Sequence, residues 1–256
     1  DFRPDYRLLK DRLPLLMPAP VVALTATATV KVQDDICEQL NVPKALRFAR
    51  GFRRDDLAIE MAERTPSRRM DEIERVLADP RRRPAIVYTP TRKSAEDAAA
   101  RLSGRLRAAA YHAGMDPASR SRVQDAFLGG DLDVIVATIA FGMGVDKPDV
   151  RTVFHLALPG SIEAYYQEIG RAGRDGQGAR AILLFGWGDR KVHEGFFQRE
   201  YPPSSTLKSV RDMVPNDGLS REMLVRACGL EPEVGENAVA KLWIHGGLAI
   251  DANDVV

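Results

Sequence analysis

The chain alternates between short, nearly continuous apolar runs and longer stretches in which apolar positions recur at helical spacing. "VVAL" (21–24), "AIVY" (85–88), "VIVA" (134–137), "TVFHLAL" (152–158) and "AILLF" (181–185) are short and β-branched, as strands buried on both faces are. Between them, Ala95, Ala98, Ala99 and Leu102 fall at i, i+3, i+4 and i+7, one face of a helix. Val123, Ala126 and Phe127 follow a start signal in which Asp116 caps and Pro117 takes the first turn. From about residue 20 to about 190 the alternation predicts an α/β fold, a parallel sheet with helices on both faces. Ligands of such sheets sit outside the carboxyl ends of the strands, so the residues just after each strand are the first candidates for chemistry.

Past about residue 188 the strand signal stops, and Pro202, Pro203, Pro215 and Gly218 break a helical segment. "SREMLVRACGL" and "ENAVAKLWIHGG" read as helices, the second with Val239, Leu242 and Trp243 on one face and Gly246 as its C-terminal cap. "LAI", a turn at "DAND" and "VV" then suggest a hairpin, and so a smaller, mostly helical, winged-helix-like module; a plain helical appendage is the alternative.

Composition narrows the classes. With 256 residues, 45% hydrophobic and 29% charged, the chain has the make-up of a soluble globular protein with a real core. A net charge of +1 supplies no global basic field, so contact with a polyanion must come from local clusters. Cys37 and Cys228 each lie in an apolar helical pattern, which fits reduced core residues better than a disulfide or a metal site. No apolar run reaches the roughly 20 residues of a membrane span and no signal-peptide layout opens the chain, so a cytoplasmic protein is expected.

Two stretches carry candidate chemistry. In "QEIGRAGRDG" (167–176), helical spacing would put Gln167, Arg171 and Arg174 on one face, a row able to read a polyanion. Gly170 and Gly173 thin the backbone beside the arginines at about 1 kcal/mol each in helix propensity. Arginine stays charged and its planar fork matches phosphate oxygens, as phosphoryl-transfer sites require. The plain alternative is a solvated basic turn. In "VIVATIAFGMGVDKPDV" (134–150), a buried strand runs into Thr138 and then a loop with Gly142 and Gly144 that is expected to present Asp146 and Lys147 at the carboxyl edge. A carboxylate there can bind ribose hydroxyls and Thr138 can donate to a sugar–phosphate backbone. The alternative is a connection with a surface Asp.

"ALTATAT" (23–29), "AIVYTPTRKSAEDAAARL" (85–102), "AAAYHAGM" (108–115), "VIVATIAFGMGVDKPDVRTVFH" (134–155) and "YYQEIGRAGRDG" (165–176) occur in the order and spacing of the RecQ family of superfamily 2 DNA helicases. The chain resembles their second RecA-like lobe over most of residues 1 to about 190. The resemblance implies that Thr25, Ala26 and Thr27 lie in motif III, coupling nucleotide state to DNA. It implies DNA-backbone contacts for Thr91, Arg92, Thr138 and His112, a lone His being more often structural. Gly144 and Asp146 would meet the nucleotide, and Gln167, Arg171 and Arg174 would form motif VI, with Arg174 preferred as the arginine finger. The implied cofactor is ATP with Mg²⁺. The implied partners are single-stranded and duplex DNA and the first RecA-like lobe, with no membrane and a nucleoid-associated location.

Departures from the family pattern limit what the chain is expected to do. No GxxxxGK[ST] loop occurs, so phosphate and metal ligands would lie on the first lobe and the chain alone is expected not to hydrolyse ATP. By the resemblance "DFRPDY" (1–6) falls just after the acidic metal-binding box, so the chain is expected to be a fragment. The family's four-cysteine zinc site is represented by Cys228 alone, so no zinc is expected. The usual "FDRPN" before the second lobe reads "FRRDD" (52–56), leaving Arg53 and Arg54 to meet a DNA backbone or to be solvated. The expected division is 1–50 for the tail of the first lobe and a linker, 51–188 for the second lobe, 189–216 for a helical remnant of the zinc subdomain, and 217–256 for a partial winged-helix-like domain. The expected function is part of a 3′ to 5′ DNA helicase. A non-catalytic DNA-binding module, or a regulatory subunit lending its finger to another ATPase, stands as the alternative.

Overall fold

The computed structural model describes residues 9–16, 19–25, 28–49, 53–142, 145–189, 194–195, 197, 200–215, 218–250 and 255–256. The chain divides into two compact units, Pro18–Asp189 and a second formed by Asp1–Met17 with Arg190–Val256.

The larger unit holds a six-stranded sheet: β1 (Leu57–Glu63), β2 (Ala85–Tyr88), β3 (Ala108–Tyr111), β4 (Val134–Ala137), β5 (Thr152–His155) and β6 (Ala179–Phe185). Their order is β1-β6-β5-β2-β4-β3 and each pairing is parallel. β2, β4 and β5 are buried along their whole length, as their unbroken apolar runs require. Alternate residues point to opposite faces. Val87, Val134, Val136, Phe154, Ile182 and Leu184 pack against α3 (Pro66–Leu77) and α4 (Arg92–Ser103). Ile86, Ile135, Ala137, Val153 and Ala181 pack with Phe127 of α5 (Pro117–Gly129) and Ile169 of α6 (Ile162–Ile169).

The helices start and stop where local chemistry dictates. Ala95, Ala98, Ala99 and Leu102 are the buried residues of α4. Asp116 Oδ1 accepts from Ser119 N at 2.9 Å with Pro117 in the first turn, and α5 ends on left-handed Gly130. No helix is described between β4 and β5. Residues 145–150 instead run down the face of the sheet, burying Val145 and Val150 beside Phe127.

"VVAL" departs from expectation. Among the described residues it forms no strand, and Val22 and Leu24 are exposed. A buried strand needs a ladder partner, and no described segment pairs with this one. Downstream, α2 (Val30–Gln39) is capped by Thr29 and buries Cys37. β1 is the strand that the apolar runs did not suggest. It is an edge strand whose "LAIEMAE" leaves Ala58, Ile59, Met61 and Glu63 exposed.

In the smaller unit, α1 is Leu9–Arg12, and helices Ser204–Asp212, Arg221–Ala227 and Pro232–Ile244 enclose Val210, Leu224, Val225, Ala238 and Val239. Gly235 lets two helices meet, since a Cβ there would lie 2.8 Å from Val225 Cγ1. Cys37 and Cys228 are free thiols, and burial raises the pKa of Cys228. The "DAND" turn lies outside the described residues. Val255 pairs antiparallel with Ser220 rather than with "LAI", which is not in a strand.

Candidate nucleotide and nucleic-acid site

Residues after β2, β3 and β4 gather at the carboxyl edge of the sheet. Thr91 caps α4: its Oγ1 accepts from Ser94 N at 3.1 Å while Ser94 Oγ accepts from Thr91 N at 3.1 Å, a reciprocal capping box. Arg92 opens the helix and lies over Gly114, where a Cβ would come within 3.0 Å of the guanidinium. Thr138 is half-buried and its Oγ1 accepts from Ala140 N at 3.5 Å. His112 is buried with Nε2 3.0 Å from Glu96 Oε1, so its ring is held by α4. Its Nδ1 has no hydrogen-bond partner among the described residues.

The arginine-rich stretch is not the continuous helix that its spacing predicts. α6 ends at Ile169 with Gly170 as its cap, and residues 170–177 form successive turns. Gly173 takes φ +64°, and a Cβ there would lie 2.8 Å from Gln177 O, so a tight turn rather than an approaching ligand explains this glycine. Gln167 is exposed on the last turn of α6. Arg171 and Arg174 therefore do not continue its face but leave the turns in different directions.

Arg171 is half-buried and its Nη1 donates to Gly142 O at 2.6 Å. Tyr88 donates from its hydroxyl to the neighbouring Phe141 O at 2.9 Å. Burial raises the Tyr88 phenol well above its usual pKa, opposed by the nearby Arg171 charge. The two side chains together fix the backbone that follows Thr138.

Arg174 takes another route, with Nη1 donating to Asp146 Oδ1 at 2.8 Å and to Val145 O at 3.2 Å. The Asp146 side chain is 83% exposed and that of Arg174 36% exposed, so both face solvent from one loop cluster. Lys147 is anchored beside the end of α5 rather than at the strand ends. The Lys147 ammonium donates to Leu128 O near the end of α5 at 3.3 Å and pairs with Asp149 at 3.2 Å. That anchor leaves Asp146 projecting outward. Gly144, Ala26 and Thr27 lie outside the described residues, and Thr25, described and exposed, stands apart from strand or helix.

Residues 68–176 match the model of the Helicase conserved C-terminal domain. Probable ATP-dependent DNA helicase RecS of Bacillus subtilis is 38% identical over 249 residues, covering 96% of this chain and 50% of that protein. ATP-dependent DNA helicase RecQ of the same organism is 39% identical over 242 residues, covering 91% of this chain and 41% of that one.

The chain carries a RecQ-family helicase domain.

It spans about half the length of these relatives or less. Among solved structures, yeast Dbp5 bound to RNA and ADP BeF3 superposes with TM-score 0.59 at 21% identity, covering 73% of this chain and 51% of that one, a likeness of fold. Among the described residues of the helicase domain no cluster of His, Cys, Asp and Glu could hold a metal, and no helix is long and apolar enough to cross a membrane.

One residue, just ahead of β1, was not assigned a role from the sequence. Arg54 is half-buried and turned inward: it forks onto Asp56 and reaches Ala172 O and Gly173 O at 3.0 and 2.8 Å. The match to the family's "FDRPN" was the available signal, since Arg54 occupies its arginine position. The exposed neighbour Arg53, paired with Asp55, shows the solvated alternative.

Proposed function

We propose that this RecQ-family domain supplies the arginine finger and half of the DNA-backbone track of an ATP-dependent DNA helicase that moves 3′ to 5′. The observation that carries this reading is the pairing of Arg174 with Asp146: motif VI and the loop assigned to the ribose meet at 2.8 Å and face solvent together. ATP with Mg²⁺ supplies the phosphoryl group whose hydrolysis drives movement. The chain has no GxxxxGK[ST] loop, so the phosphates and the metal would be held by the first RecA-like lobe.

In this reading Asp146 binds ribose hydroxyls and Arg174, released from it, stabilises negative charge on the γ-phosphate. Gly144 keeps its family role toward the nucleotide and Gln167 its role in motif VI. Arg171 serves as a strut between that turn and the loop after β4, because its Nη1 is committed to Gly142 O. Thr91, Arg92 and Thr138 contact DNA phosphates, the first turn of α4 adding its partial positive charge. His112 acts on the track through Glu96, which holds its ring. Thr25, Ala26 and Thr27 couple nucleotide state to DNA. Backbone contacts of this kind weaken steeply with salt and read little sequence.

Single-stranded-DNA-stimulated ATP hydrolysis tests the reading, measured on this chain and on the longer protein that joins it to the first lobe. Activity confined to the longer protein is the expected result. A longer protein that binds DNA without hydrolysing ATP would favour the non-catalytic module.

A further inference from the structure

We propose that Arg54 is the positioning residue of the "GRAGR" turn, an inference that rests on the helicase reading and adds a residue to its machinery. Arg54 lies three residues ahead of β1, more than a hundred positions from the turn it touches. Its Nε and Nη2 fork onto Asp56 at 2.8 and 2.5 Å, which fixes the plane of the guanidinium. The same Nη2 donates to the carbonyls of Ala172 and Gly173 at 3.0 and 2.8 Å. These two residues are the ones between Arg171 and Arg174.

The contact sets direction as well as holding the turn. Two successive carbonyls converge on one cationic nitrogen, so the peptide planes that lead into Arg174 are oriented by Arg54. Gly173 completes the arrangement, because a Cβ there would lie 3.2 Å from Arg54 Nη2 as well as 2.8 Å from Gln177 O. The base of the turn closes through Gly173 N donating to Val150 O at 2.9 Å, Asp175 N donating to Pro148 O at 3.2 Å and the Arg151–Asp175 ion pair, bonds whose geometry depends on the orientation that Arg54 gives the turn. Asp56 is tied in turn to the start of β6, its carbonyl accepting from Ala179 N at 2.9 Å. Arg54 thus bridges the segment entering the lobe and the turn bearing the proposed finger, without touching nucleotide or DNA itself.

The test uses Arg54→Ala and Arg54→Lys in the longer protein that includes the first lobe, together with amide hydrogen exchange on the present chain. Lysine keeps the charge but cannot fork onto Asp56 while reaching both carbonyls. Arg54→Ala is expected to lower kcat for DNA-stimulated ATP hydrolysis at least tenfold, with KM for ATP and affinity for a single-stranded oligonucleotide within threefold of wild type. Arg54→Lys should fall between. In both variants the amides of Gly173 and Asp175 should exchange faster while those of β2 and β4 keep their protection. A kcat within twofold of wild type for Arg54→Ala overturns the proposal, and so does loss of protection across the whole sheet in both variants, which would make Arg54 a residue of general stability. Should the wild-type longer protein hydrolyse no ATP, the helicase reading falls. Exchange at Gly173 and Asp175 then decides the positioning role, unchanged rates overturning it.

Discussion

Arg174 Nη1 donates to Asp146 Oδ1 at 2.8 Å across 28 residues of chain, joining the last turn of the arginine-rich stretch to the loop that descends from β4. Both groups are solvent-facing, and an ion pair in that setting contributes about 0–1 kcal/mol. Little holds the pair closed, so a ligand offering hydroxyls to Asp146 and phosphate to Arg174 can separate it. Asp146→Ala is therefore expected to change stability by no more than about 1 kcal/mol while raising KM for ATP several-fold in the longer protein. Urea unfolding and steady-state kinetics measure the two effects separately.

Gly142 allows Arg171 to lie against its backbone. A Cβ at that position would come 2.7 Å from Arg171 Nη2, so Gly142→Ala must push the guanidinium aside and disturb its bond to Gly142 O. If Arg171 joins the nucleotide turn to the DNA side, DNA stimulation of hydrolysis should fall several-fold, with DNA-independent hydrolysis reduced less. Equal losses in both would place the effect on the turn alone.

Tyr88→Phe removes the hydroxyl that donates to Phe141 O inside the sheet face. The carbonyl stays buried without that donor, which costs about 1–3 kcal/mol. Equilibrium urea unfolding of the present chain should show the loss as a lower midpoint with an unchanged slope.

Acid titrates the Arg54–Asp56 pair. Hydrogen bonding from Arg54 holds the Asp56 carboxyl down at about 2, against an ordinary value of 3.8. A carboxyl with a depressed folded pKa binds its proton more readily when unfolded, so its stabilisation is complete above about pH 4 and is lost as pH falls toward about 2. Asp56→Asn should flatten the stability profile across that window and leave it unchanged near neutrality in slope, as thermal unfolding at stepped pH would reveal.

Much of the fold was legible because parallel strands buried on both faces leave unbroken apolar runs. "AIVY", "VIVA" and "AILLF" lie in β2, β4 and β6 on that signal alone, and Asp116 with Pro117 marked the start of α5. β1 was not legible, since an edge strand need not be apolar throughout and Glu60 and Glu63 interrupt the run in "LAIEMAE". "TVFHLAL" was too long: β5 stops at His155, and Leu156 belongs to the turn into α6.

The site divides in the same way. Residue types raised the expectation of arginines for phosphate and a carboxylate for ribose, yet their geometry could not be read from spacing. Gln167, Arg171 and Arg174 fit a helical period, but Gly170 caps the helix and left-handed Gly173 turns the chain. Glycines at both positions were the available warning. Arg54 was hidden for a different reason: the "FDRPN" match marked its position, but its partners are main-chain carbonyls of Ala172 and Gly173, which residue types do not reveal.

The most direct measurement of the central claim compares wild type and Arg174→Ala in the longer protein, following ATP binding and single-stranded-DNA-stimulated hydrolysis in parallel. An arginine finger predicts that nucleotide affinity stays within a few-fold while hydrolysis falls by about 1,000-fold. Hydrolysis at the wild-type rate in Arg174→Ala would contradict the account, leaving the pair with Asp146 as a surface contact.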